Sequence, residues 1–206
     1  TAPGSANVWN VVAPSLLPDD TSLTSSLSSL GTFGQDWIAW RWNPSSGRWE
    51  AGGSLPGRPA SADAFSVGTP WWIAVDGDGG NVSVPVAGEA TDPTSEGRVA
   101  LEAGWNLVAN PFAFAVAWSD EHVKIRHAGE ELTPSAADTA GWIENRVIWW
   151  DGGARRYVVE SPQGGAAYVM PPVLGHWLYA GVDGAELAMQ PIGVDPPDDA
   201  IPVAPT

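Results

Sequence analysis

The chain has 206 residues, 44% hydrophobic and 16% charged, with 9 Lys and Arg against 24 Asp and Glu for a formal charge of -15. Few charges beside ample apolar residues favour a folded core over disorder, and the acidic excess repels phosphate backbones, so nucleic acid is not an expected partner. The lack of cysteine excludes disulfides, thiolate metal sites and cysteine nucleophiles.

The chain opens Thr1-Ala2-Pro3-Gly4-Ser5, which reads as the mature end left by signal-peptide removal and predicts an extracellular or cell-surface protein. No apolar run is long enough for a membrane-spanning helix. The first apolar segment is Trp9-Asn10-Val11-Val12-Ala13-Pro14, and a short turn of helix is expected within Thr21 to Leu30. Ile38, Trp40 and Trp42 then alternate with Ala39, Arg41 and Asn43, the period of two that marks a strand. Asn43-Pro44-Ser45-Ser46-Gly47 supplies the turn of a hairpin that continues into Arg48-Trp49. Beyond Trp71 lies Asp76-Gly77-Asp78-Gly79-Gly80-Asn81, where Asp76, Asp78 and Asn81 put oxygen ligands suited to calcium in one loop. That loop lacks the terminal bidentate Glu of an EF-hand, and a plain hairpin turn is its alternative reading.

After a polar stretch the pattern returns. Trp105-Asn106-Leu107-Val108-Ala109-Asn110-Pro111 echoes the opening segment, and a second turn of helix is expected at Pro134 to Thr139. Trp150-Asp151 and the turn through Ala154 lead to Arg156-Tyr157 with the spacing of Trp42 to Trp49, and Trp177 through Val182-Asp183-Gly184 echoes Trp71 through Val75-Asp76-Gly77. Matches in the same order predict an internal repeat: one β module at 1–88, a linker at 89–97, a second module at 98–192 and a Pro-rich tail at 193–206. With 19 prolines and 24 glycines, few windows permit a long helix. The expected fold is all-β, two tandem and similar β-sandwich or barrel-like modules followed by an extended tail.

Gly104-Trp105-Asn106-Leu107-Val108-Ala109-Asn110-Pro111-Phe112 resembles a pattern in tandem β modules of large exported bacterial surface proteins, mainly over residues 97–185. The resemblance implies a β-rich accessory or surface module and transfers no active-site residue. The first half follows it loosely, because Val8 stands in the glycine position and Ala13-Pro14 lacks the asparagine.

Thirteen tryptophans invite two readings. Indoles fill β cores, and they also offer flat faces for sugar rings. Positions repeated in both halves (Trp9, Trp42, Trp71, Trp105, Trp150 and Trp177) are assigned to the core. The unmatched Trp72, Trp118, Trp142 and Trp149 are candidate ligand platforms, and alternation turns Trp72 and Trp149 outward from their strands.

Catalytic chemistry finds little support. The acid pairs Asp19-Asp20, Asp120-Glu121 and Glu130-Glu131 are adjacent, whereas glycoside hydrolysis needs two carboxylates facing each other across a sugar. His122, His127 and His176 follow no metal-site spacing, and no nucleophile elbow or phosphate loop occurs. The expectation is a non-catalytic structural or adhesion protein without a cofactor, calcium excepted, acting by association with copies of itself or other surface proteins. It would be a surface module or the repeating subunit of a surface assembly, with tail residues Asp195, Ile201 and Val203 either lying along their own domain or adding to a neighbour as a strand. Carbohydrate binding through exposed tryptophans is the alternative, and a glycosidase the second alternative.

Overall fold

The computed structural model describes residues 8–55, 64–76, 87–162 and 167–194. The positions proposed from sequence at Asp78, Asn81, Asp195, Ile201 and Val203 lie outside the described residues.

Strands dominate, as the alternating patterns predict. The first half contributes β1 (Val8–Val12), β2 (Leu16–Pro18), β3 (Trp37–Asn43), β4 (Arg48–Ala51), β5 (Trp71–Val75) and β6 (Gly88–Ala90). Four of them form an antiparallel sheet in the order β1-β5-β3-β4, while β2 pairs with β6. Between β2 and β3 the expected helical turn appears as α1 (Leu23–Ser26) and a 3-10 turn, Ser28–Leu30. Ser22 starts α1 by accepting a hydrogen bond from the Ser25 amide on its side chain, which satisfies one of the amides a helix start leaves open. Leu23, Leu27 and Leu30 recur at helical spacing and bury against Trp37, Ala39, Phe65, Trp71 and Ile73. They close one face of the first sheet.

The second half contributes β7 (Gly97–Leu101), β8 (Gly104–Ala109), β9 (Val116–Trp118), β10 (Val123–His127), β11 (Glu130–Leu132), β12 (Val147–Asp151), β13 (Arg156–Glu160), β14 (Tyr168–Met170), β15 (Gly175–Ala180) and β16 (Ala185–Met189). A short helix, α2 (Pro134–Thr139), occupies the expected stretch, capped by the Thr133 side chain and opened by a proline. Two four-stranded sheets, β11-β10-β16-β7 and β13-β12-β15-β8, enclose a core of Leu101, Val108, Phe112, Trp118, Ile125, Leu178 and Leu187. β9 and β14 form a separate pair.

The glycine-tryptophan-asparagine segment owes its shape to backbone demands. Gly104 sits at φ 103, a conformation that side chains other than glycine avoid. Asn106, 2% exposed, closes the turn between β7 and β8 by donating to the Glu102 and Gly104 carbonyls and accepting from the Glu102 amide. Asn110 is fully buried and donates to the Phe114 and Met170 carbonyls while accepting from the Phe112 amide. Both asparagines satisfy backbone groups that burial would otherwise leave unpaired. Their role in this chain is architectural.

Read from one edge, the first sheet runs β1-β5-β3-β4 and the central sheet of the second half runs β8-β15-β12-β13. In each, the opening strand pairs with the closing one, and a hairpin completes the sheet. Both hairpins turn on the same device: Asn43 accepts from the Ser46 amide and Asp151 from the Ala154 amide, three residues on in each case.

Candidate functional site

Cross-strand partners share a face, so the pairing registers say which side chains meet. In the first sheet Trp9 faces Ala74, Val12 faces Trp71 and Trp40 faces Trp72. In the central sheet Trp105 faces Tyr179, Val108 faces His176 and Ile148 faces Trp177. Laying Trp9 on Trp105 therefore lays Trp71 on His176 and Trp72 on Trp177, and the pairing to β3 and β12 agrees. The sequence match of Trp71 to Trp177 is thus one residue out of step. In a strand that step exchanges the two faces.

The corrected register brings the tryptophans together. The first sheet turns Trp71 and Trp37, both fully buried, toward the leucines of α1. Its other face carries Trp9, Trp40, Trp42, Trp49 and Trp72, and meets the face of the central sheet that carries Trp105, Trp150, Tyr157 and Trp177. The contacts are reciprocal. Trp42 donates its indole N–H to the Trp105 carbonyl at 2.7 Å, and its counterpart Trp150 donates to the Trp9 carbonyl at 2.8 Å. Trp72 meets Trp150 with ring centres 5.6 Å apart, and Trp177 meets Trp42 at 5.8 Å. Trp72 to Tyr157 is 6.3 Å, and Trp177 to Trp49 is 5.9 Å. Edge-on and tilted pairs of this kind each add about 0.5–1.5 kcal/mol beyond area burial. Gly175 lies at the centre, where an added Cβ would come within 2.4 Å of Val11 and 2.6 Å of Pro70. Pro70 and Gly175 are themselves counterparts, the relation expected of residues on a two-fold axis.

Five of the six repeated tryptophans (Trp9, Trp42, Trp105, Trp150 and Trp177) therefore lie in or beside this seam, outside the two cores; Trp71 alone is a core residue. The other candidates scatter. Trp72 does point away from Trp71, as alternation predicts, but the central sheet covers that side. Trp149 pairs with His176 on the inward face of the central sheet, and its buried indole nitrogen has no acceptor among the described residues. Trp118 is fully buried and donates to Asn145, so neither ring face is open to a sugar. Trp142 packs on the second core and against His127. Asp76 is exposed at the end of β5; among the described residues no three metal-ligating side chains gather.

What the seam leaves open is a groove of about 390 Å³ lined by Trp42, Trp105, Ile148, Tyr157, Val159 and Trp177. Its size falls within the range of small-ligand sites, roughly 300–1,000 Å³, but its lining is apolar apart from the Tyr157 hydroxyl and the indole nitrogens. Trp105, Tyr157 and Val159 are 39%, 52% and 55% exposed on its rim. Burial pushes the Tyr157 phenol up, against a hydrogen bond from Trp177 that lowers it. β13, which carries Tyr157 and Val159, is an edge strand of its sheet. The sequence marked Tyr157 only as a hairpin aromatic and passed over Ile148 and Val159, because alternation does not reveal which part of a face stays uncovered. The acid pairs read from sequence line no part of this groove.

Glu96 and His176, perturbed groups away from the groove, brace the second half. Glu96, just ahead of β7, is held down at about 2 by hydrogen bonds from Arg126, against burial, with Gln190 donating as well. His176, fully buried with Nε2 2.8 Å from the Tyr168 hydroxyl, is lowered by burial to about 3. Both shifts mean that the folded chain binds fewer protons than the unfolded chain in acid. The His176 contribution is complete above its ordinary value of 6.5 and is lost as the pH falls toward 3; that of Glu96 is complete above 4.5 and is lost toward 2. Urea midpoints should hold level above neutrality and decline steadily below it, and His176→Gln should flatten the decline between pH 6.5 and 4.5. An unchanged slope in that variant would remove His176 as the cause.

No family model, curated protein or solved structure matches this chain.

Proposed function

We propose that this is a non-catalytic structural or adhesion protein of the cell surface or extracellular space, acting by association through the aromatic groove beside β13, as the repeating subunit of an assembly. The observation that carries the reading is the concentration of exposed apolar side chains there. Trp105, Tyr157 and Val159 form the rim on a chain whose charge of -15 otherwise favours solvent. An edge strand next to an apolar groove offers two modes of contact at once, backbone pairing along β13 and side-chain insertion beside it. The described lining is apolar, a surface suited to recognition by packing.

Sedimentation of the full chain over a wide concentration range tests this. Reversible growth in particle size is the expected result, and Val159→Asp should abolish it without moving the melting temperature, because that side chain is 55% exposed. A strict monomer at every concentration would overturn the assembly.

A second reading, glycan binding, draws on the same exposed rings of Trp105 and Tyr157. Sugar hydroxyls also need polar partners, and the groove lining offers few. Tryptophan fluorescence across a panel of soluble polysaccharides separates the two: a saturable change lost in Trp105→Ala would favour the glycan, and silence favours association between proteins.

A further inference from the structure

The reciprocity of the seam has a consequence for assembly. An interface in which residue i meets j and the counterpart of j meets the counterpart of i is self-complementary, the property of two-fold homodimers. Here the property lies inside one chain: Trp42 to Trp105 mirrors Trp150 to Trp9, and Trp72 to Trp150 mirrors Trp177 to Trp42. The overlay of strands follows the same rule, with β1 against β12 and β3 against β8. Such contacts are satisfied equally well when the two sheets belong to different molecules.

The connection between the sheets decides whether exchange is open to them. Gly88–Ala90 still pairs with the first half through β2, and Gly97 already begins β7. The crossing is therefore Thr91 to Glu96. Asp92 folds it back on itself, accepting from the amide and hydroxyl of Thr94 and from the Ser95 hydroxyl. Thr91 and Glu96 tie its ends to Pro111 and Arg126. The Asp92 bonds are local and exposed, so among the described residues opening this turn breaks no core contact.

We propose that the tryptophan seam is exchangeable: it closes within one chain or reciprocally between two copies, with the crossing at residues 91–96 as hinge. This rests on the association reading above and gives it a partner, a second copy of this chain, and a route. A short flexible connection holds the halves at an effective concentration on the order of millimolar. The closed monomer therefore dominates in dilute solution, and exchange grows with concentration or with a shorter hinge.

The chain has no cysteine, so introduced thiols report the pairing directly. Val12 and Leu174 face each other as an isolated antiparallel bridge across the two halves, a separation that disulfides can span. Val12→Cys and Leu174→Cys are made in separate full-length chains, mixed, unfolded in urea, refolded together and oxidised with glutathione disulfide. Exchange yields a covalent 12–174 dimer, identified by peptide mapping, that rises with protein concentration; deleting residues 93–95 should bring it to micromolar concentrations. The double variant in one chain, refolded dilute, should cross-link as a monomer, which verifies the geometry. A mixture giving no 12–174 product at either hinge length overturns exchange. If such a mixture still self-associates in a manner sensitive to Val159→Asp, the association reading stands without exchange; a chain that never leaves the monomer sinks both.

Discussion

Gly175→Val should lose about 3 kcal/mol of stability and melt roughly 6–12 °C lower than the parent. The reason is contact geometry. Gly175 has no left-handed backbone to lose, so the effect is steric: even a Cβ would stand 2.4 Å from Val11 Cγ1 and 2.6 Å from Pro70 Cβ, well inside van der Waals contact. Neither neighbour yields easily, because Pro70 is a ring fixed to the backbone and Val11 is 2% exposed. Relief requires the first and central sheets to move apart, which loosens the reciprocal tryptophan contacts at the same time. Gly153→Ala is the control: it lies in the nearby β12–β13 turn, where an added Cβ meets only the Asp151 carboxylate at 3.4 Å, and its melting temperature should hardly change. A Gly175→Val protein as stable as the parent would mean that the two sheets do not approach as described.

The second large effect concerns the two hubs of the seam. Trp72 touches Trp9, Trp49, Trp150 and Tyr157, with ring centres between 5.6 and 6.4 Å away. Trp177 touches Trp42, Trp49 and Trp105 at 5.8 to 6.5 Å. Replacing either by alanine should cost about 3–5 kcal/mol, the loss of a large ring plus the cavity it leaves. The reciprocity predicts costs that agree to within about 1 kcal/mol. Because both rings contact Trp49, the double variant should lose less than the sum. Chemical denaturation of the four proteins measures all of this, and a large inequality between the single variants would count against the two-fold relation. Phenylalanine at position 72 should restore part of the loss, since an aromatic ring fills part of the space.

The halves are alike only in part. The first sheet is backed by α1 and its neighbouring 3-10 turn, while the central sheet is backed by β11-β10-β16-β7; among the described residues the first half shows no equivalent of that outer sheet. Among the described residues the likeness is clearest in the four strands that build the seam and in the paired asparagine and aspartate turns. That distribution is what selection on an interface would leave, since the two contacting sheets must match each other and their backs need not. The open groove follows the same difference: Ile148 and Val159 stand where the first sheet has Trp40 and Ala51, and Ala51 is 1% exposed where Val159 is 55%.

By itself the amino-acid order determined what depends on near neighbours. The period-two runs and the turn residues of both hairpins predict strands where they occur, and the two short helices fall within the stretches expected at Thr21 to Leu30 and Pro134 to Thr139, because each is a local matter of backbone geometry and hydrogen bonding. It also singled out the Trp-Asn segments, of which Asn43 and Asn106 proved to close turns beside seam tryptophans. What only the tertiary structure decided is the use of each indole. Alternation sorts side chains onto two faces without saying what covers either one, and a slip of one residue between Trp71 and Trp72 interchanges them. Trp118 went into a core, Trp72 into the seam and Trp105 onto the groove rim because whole sheets packed upon one another, and contacts between segments so far apart in the chain leave no local signature.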